Sequence, residues 1–168
     1  QYLEFVSDSA FIAFFHQHTG TNIKEQIKAI NWAYKERAEV LILECMAVKP
    51  ELQYICENKI LNSDIGVITN VREDHLDEMG KTLDEIAESL SNTIPKNGAF
   101  FTSDKEYFEF FKRKAEKRNS KAFINRNEKE QYWDIDFASN VSLAIEVCKY
   151  IGIDGKKALE SMRNYHRD

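Results

Sequence analysis

Apolar residues follow two rhythms along this chain. In NIKEQIKAINWAYKERA (22–38), Ile23, Ile27, Ile30 and Tyr34 recur at the three- and four-residue spacing of a helix face. EVLILECMAV (39–48) is a short aliphatic run, read as a buried strand, and Pro50 then suits the first turn of a helix reaching about Lys59. DIGVITNV (64–71) is a second buried strand. KTLDEIAESLSNTI (81–94) reads as a helix with Thr82 at the N-cap and Glu85 as its capping-box partner. GAFFTS is a third strand, DKEYFEFFKRKAEKR a helix, KAFIN a short fourth strand and YWDIDF (132–137) a candidate fifth. SNVSLAIEVCKYIGI is a helix that stops at Gly152, and DGKKALESMRNY is the last.

Strands alternating with helices across short loops predict parallel βαβ units, hence a three-layer α/β domain with a mostly parallel sheet. One domain is expected over residues 22–168. Residues 1–21 sit poorly in that scheme. Their cluster SDSAFIAFFHQH (7–18) reads as an amphipathic or core helix, with a remnant or interfacial anchor as the alternative. It is too short to span a membrane and lacks the basic start of a signal peptide.

Composition narrows the function classes only a little. The 168 residues are 43% hydrophobic and 30% charged, ordinary values for a globular domain. The net charge of −5, with no Lys/Arg block, argues against a nucleic-acid binder. Cys45, Cys56 and Cys148 lack C-x-x-C spacing and suggest buried thiols in a reducing compartment.

The chemistry gathers at strand ends. In an open parallel sheet, ligands bind outside the carboxyl ends of the strands. Glu44 closes the first strand in LILECMA, and His75 lies just past the second in VITNVREDHLDEMG (67–80). If those strands are neighbours, a carboxylate and an imidazole meet at the sheet edge. Such a pair suits Mg²⁺, which takes one or two protein ligands and keeps several waters; the imidazole leaves Mn²⁺ open. The bland alternatives are a solvated glutamate and a surface ion pair. Asp74 and Asp77 could orient the ring or be solvated, and Asp77 is read as solvated. Asn140, near the start of the late helix, is either a cap or an amide for a base edge. His16, His18 and His166 find no convincing partners. No G-x-x-x-x-G-K-[ST] occurs; the GKT at 80–82 follows an acidic loop and reads as a turn with a helix cap.

At ECMAVKPELQ, IGVITNVREDHLDEMGKTLDEIAESLSNTIPKNG and ASNVSLAIEVCKYIGI the chain resembles the CapB/PgsB family. These are the Mur-ligase-like subunits of poly-γ-glutamate capsule synthesis. The resemblance runs from about Asn22 to Met162. Its combination of ECMAV-x-PE with NV-x-EDH-x-D-x-MG-x-TLDEIAE is specific, whereas NV..DH.D alone matches many Mur ligases.

The resemblance implies a Mur-ligase central domain of P-loop ATPase-like type and an ATP-dependent amide ligase working through an acyl phosphate. By analogy Glu44 and His75 hold Mg²⁺, Asn140 contacts adenine, and Asn70 lines the site. It implies glutamate and the poly-γ-glutamate chain as substrates, and small membrane subunits as partners. The implied location is cytoplasmic, at the inner face of the cell membrane; a homo-oligomer stays open.

Three departures set further expectations. No phosphate loop precedes Thr19-Gly20-Thr21, the place of a carbamylated lysine falls near Leu90, and NYHRD ends where a C-terminal domain would follow. The chain is therefore expected to be an incomplete fragment of an enzyme, with little or no turnover by itself. The rival readings are a folylpolyglutamate or peptidoglycan Mur-type ligase, and a non-catalytic α/β binding or scaffold module.

Overall fold

A computed structural model describes residues 2–7, 10–15, 23–127, 135 and 137–164. Its centre is a parallel sheet of three short strands in sequence order: β4 (Ile65–Ile68), β5 (Ala99–Thr102) and β6 (Lys121–Ile124). β5 is buried along its whole length. Its side chains alternate between two apolar layers, as a strand covered on both faces requires.

Phe100 joins Ile68, Ile86, Ala87, Ile94, Phe111 and Ala115 on one side, where α4 (Leu83–Leu90) and α5 (Phe108–Lys117) supply the cover. Ala99 and Phe101 join Leu143 and Val147 of α6 (Ala138–Tyr150) on the other. Phe100 and Phe111, both wholly buried with ring centroids 5.5 Å apart, each contribute roughly 2–3 kcal/mol of apolar burial. The three expected layers are therefore present around β5. α7 (Gly155–Asn164) closes against α6 through Leu159 and Met162, and Asp154 just before it accepts the Lys156 and Lys157 N–H groups on its carboxylate.

The amino-terminal part is built differently from expectation. Residues 10–15 form strand β2 (Ala10–Phe15), not a helix. It pairs antiparallel with β1 (Tyr2–Ser7) and parallel with β3 (Val40–Leu43). A compact apolar run of this length fits either element, and strand pairing with β3 decides it. α1 (Ile23–Lys35) makes the crossover from β2 to β3. Among its residues 26–35, Ala29 and Ala33 are buried and Ile30 half-buried, whereas Ile27 is 44% and Tyr34 85% exposed, so the packed face coincides only in part with the expected apolar stripe.

β3 is also shorter than the run 39–48 suggested, and Ile42 is exposed in it, as Val67 is in β4. β3 and β4 are not paired with each other: β3 pairs with β2, and β4 with β5. The two sheets connect through α2 (Pro50–Ile55), which continues as a π-helical turn to Leu61. Gln53, 1% exposed, accepts a hydrogen bond from Ser89 Oγ of α4 at 3.0 Å. Of the candidate fifth strand, Tyr132, Trp133, Asp134 and Asp136 lie outside the described residues, and Ile135 and Phe137 are not in a strand. His16, His18 and His166 also lie outside the described residues.

Candidate functional site at the carboxyl ends of the central sheet

The loop leaving β4 carries Asn70, half-buried, then Val71, which turns back into the core at 8% exposure. Residues 72–78 are exposed. His75 sits in the left-handed region (φ 44°, ψ 46°), an uncommon backbone for a non-glycine residue, at the N-cap position of the single-turn helix α3 (Leu76–Met79). Its backbone N–H donates to Asp74 Oδ1 at 2.8 Å, while its Nε2 lies 3.6 Å from the same oxygen. Asp74 thus bonds the backbone of His75, and the ring separation exceeds a hydrogen bond. Asp77 is exposed, in agreement with a solvated carboxylate.

Glu44 is exposed directly after β3. No strand pairing brings it to His75. One link between their segments is an ion pair from Lys49, five residues beyond Glu44, to Glu78 of α3 at 3.6 Å. Among the described residues no three His, Cys, Asp or Glu side chains converge as a metal cage. One carboxylate with one imidazole is a donor set for an ion that keeps most of its water, as Mg²⁺ does, but β3 and β4 are not paired, so the neighbouring-strand arrangement expected to bring Glu44 and His75 together is absent. Of the three thiols, Cys56 is buried and its pKa is pushed up by that burial, Cys148 is intermediate, and Cys45 is exposed, contrary to expectation.

Asn140 lies in the first turn of α6, half-buried. It is not the cap: Phe137 occupies that position without a side-chain cap bond. What fixes this turn is Asn125, 4% exposed at the end of β6. Asn125 Nδ2 donates to Ser103 Oγ at 3.2 Å and to the Ser139 carbonyl at 3.3 Å; Ser103 Oγ donates to the same carbonyl at 3.3 Å. The ends of β5 and β6 are thereby tied to the residue preceding Asn140.

Sequence reasoning missed Asn125, and also Asp104 and Tyr107 in the β5–α5 turn. Asp104 receives the Val71 N–H at 2.8 Å and the Tyr107 N–H at 2.8 Å. The second contact is a local turn, legible as an aspartate three residues before a helix N-cap; the first is not local. The buried carboxylate Glu57 has a structural task. It accepts Ser63 N–H and Oγ–H at 3.1 and 2.9 Å; burial raises its pKa, opposed by those bonds and by Arg118.

The pattern that describes Mur ligase middle domains matches residues 8–161. Over 155 residues the chain is 43% identical to the capsule biosynthesis protein CapB of Bacillus anthracis, covering 89% of this chain and 33% of that protein. The chain belongs to the Mur ligase family, in its CapB/PgsB branch. A second relative in that branch, PGA synthase CapB of Bacillus subtilis (strain 168), is 44% identical over 151 residues, covering 86% of this chain and 38% of the relative. The chain thus spans about a third of the length of these CapB proteins, 33% of one and 38% of the other. Among solved structures it is similar to a point mutant of L. casei FPGS, with a TM-score of 0.64 at 14% identity, and to an FPGS–AMPPCP complex, with 0.63 at 13%. Each likeness covers 81% of this chain and 41% of the other, and shows the shared Mur-ligase fold.

Proposed function

We propose that this chain is the central domain of an ATP-dependent ligase that joins glutamate through γ-amide bonds in capsular poly-γ-glutamate. The observation that carries the reading is the 43% identity to a capsule biosynthesis CapB over 155 residues. A γ-carboxylate oxygen attacks the γ-phosphorus of ATP and ADP leaves, giving an acyl phosphate. The amine of an incoming glutamate then attacks the acyl carbon, phosphate leaves, and the nitrogen loses a proton. Mg²⁺, or Mn²⁺ in its place, supplies neutralisation of phosphate charge.

In this reading Glu44 and His75 are the protein donors to the ion, Asn140 presents its amide to the adenine edge, and Asn70 lines the site. Their support is the coincidence of family motif and position: Asn70 and His75 follow the carboxyl end of β4, and Asn140 lies in the first turn of the helix after β6. Phosphoryl transfer depends on positioning and charge stabilisation, so we assign turnover to a longer protein carrying a phosphate loop. The partners in this proposal are the polymer chain, glutamate and small membrane subunits, at the cytoplasmic face of the membrane.

The test is glutamate-dependent phosphate release by the complete protein in membranes holding the assembled synthase. His75→Ala and Glu44→Gln should each lower turnover at least about a hundredfold, the scale of losing one charge-stabilising contact, while Asp77→Asn stays near wild type. Melting temperatures should be unchanged, since exposed loop residues contribute little to the core. Near-wild-type turnover in both site variants would remove the metal assignment.

A further inference from the structure

Residues 71–84 run from the end of β4 to the first turn of α4, and they carry His75 outward on the single turn of α3. One short connection, the turn between β5 and α5, holds both ends of this excursion. At the leading end the Val71 N–H donates to Asp104 Oδ2 at 2.8 Å. At the trailing end the Tyr107 hydroxyl donates to Asp84 Oδ1 at 2.7 Å. The two anchors are joined to each other, because the Tyr107 N–H donates to Asp104 Oδ1 at 2.8 Å. They are also fixed to the sheet, because the Asp104 N–H donates to Thr102 Oγ1, on the last residue of β5, at 3.0 Å.

We propose that Asp104 and Tyr107 form a clamp that sets the geometry of residues 71–84 and so positions His75 for a divalent ion. Both are positioning residues, and this inference rests on the metal reading of His75 given above. Each oxygen of Asp104 already receives a backbone N–H, which makes it a strut. The left-handed backbone of His75 is of the kind that persists only where the surroundings over-determine it. Inside the clamp, the Lys81 and Thr82 N–H groups donate to Glu85 Oε2 at 2.6 and 3.2 Å, so the trailing end is held twice. Val71 to Asp104 is the long-range side-chain tie at the leading end.

Two variants remove the clamp with little loss of packing. Asp104→Asn keeps the shape but turns an amide NH₂ toward one of the two N–H donors. Tyr107→Phe loses only the hydroxyl and keeps the ring against Phe110 and Phe111, whose centroids both lie 6.4 Å away. Mn²⁺ is titrated into the purified protein and the free ion followed by electron paramagnetic resonance, with amide hydrogen exchange on the same samples.

Each variant should raise the Mn²⁺ dissociation constant about fivefold, the effect of losing one hydrogen bond. Exchange should quicken at residues 71–79 while β4 and β5 stay protected. His75→Ala calibrates the site and should weaken Mn²⁺ more. If His75→Ala weakens Mn²⁺ and neither clamp variant does, the clamp is overturned and the metal reading stands. If none of the three changes Mn²⁺ affinity, the metal reading fails and takes the clamp with it. Weaker Mn²⁺ with unchanged loop exchange, or lost protection throughout β4 and β5 in both variants, also overturns positioning.

Discussion

Replacing Asn125 tests how the first turn of α6 is held. Its side chain is 4% exposed and makes three hydrogen bonds: Nδ2 to Ser103 Oγ at 3.2 Å and to Ser139 O at 3.3 Å, and Oδ1 from the Asn127 N–H at 3.1 Å. Asn127 is exposed, so water replaces the last of these at little cost. The two buried bonds are worth about 1 kcal/mol each, which puts Asn125→Ala at about 2 kcal/mol. The loss should not run higher, because the Ser139 carbonyl keeps its bond from Ser103 Oγ and no buried acceptor is orphaned.

Asn125→Asp is the sharper variant, nearly the same in size. It puts a carboxylate where an amide donated, against the Ser139 carbonyl. Burying an unpaired charge should raise the loss to roughly 3 kcal/mol or more at neutral pH, with partial recovery in acid as the carboxyl protonates. For a domain of this size thermal melting should fall by about 4–8 °C in Asn125→Ala and further in Asn125→Asp. If Asn125→Asp melts with wild type, or no lower than Asn125→Ala, the amide is not donating and the account of this turn is wrong.

Two other perturbations read the packing and the clamp. At Gly98 an added Cβ would stand 2.4 Å from the Asp64 carbonyl oxygen, so Gly98→Ala must move backbone and should cost about 1–3 kcal/mol in urea unfolding. Gly152→Ala, with open space but φ +87°, should cost only about 1–2 kcal/mol of conformational strain, and a larger loss there than at Gly98 would contradict this packing. Tyr107 has its pKa raised from 10.0 to about 12, first by its hydrogen bond to Asp84, then by burial and nearby acids. A folded pKa above the unfolded one means its stabilisation is complete below pH 10 and fades as pH rises toward about 12. In an ultraviolet tyrosinate titration, wild type minus Tyr107→Phe should show one late-ionising phenol; ionisation at the ordinary value would refute the Asp84 contact.

Local signals in the sequence were accurate where the physics is local. Thr82 and Glu85 form a reciprocal capping box: Thr82 Oγ1 accepts the Glu85 N–H at 3.2 Å while Glu85 Oε2 accepts the Thr82 N–H. α6 stops at Tyr150 with Gly152 at positive φ just beyond, as its sequence indicated. β5 and β6 fall where GAFFTS and KAFIN put them. Errors began where two faces compete. In α1 the isoleucine spacing identifies the helix, yet among residues 26–35 the buried positions are Ala29 and Ala33, at 0% and 5% exposure, with Ile30 half-buried. Residues 10–15 show the same limit, since contiguous apolar residues carry no period and the partner strand β3 begins at residue 40.

The candidate site divides along the same line. Glu44, His75 and Asn140 are proposed from residue type at element ends together with a family motif, and Asn70 from the motif alone, all readable without any tertiary contact. Asp104 and Asn125 were not, because each acts through partners distant in sequence: Val71 lies 33 residues from Asp104, and Ser103 lies 22 from Asn125. The distinction is physical. A proposed metal donor such as Glu44 or His75 is exposed and of the right chemistry, which a sequence displays directly. A strut must be buried or half-buried and aimed at a backbone group that folding alone brings near. In this chain the struts sit one strand over from the residues they hold, β5 serving the loop after β4 and β6 serving the start of α6. That places Asp104 and Asn125 just past the ends of the neighbouring strands β5 and β6, and leaves the proposed metal donors Glu44 and His75 on exposed segments.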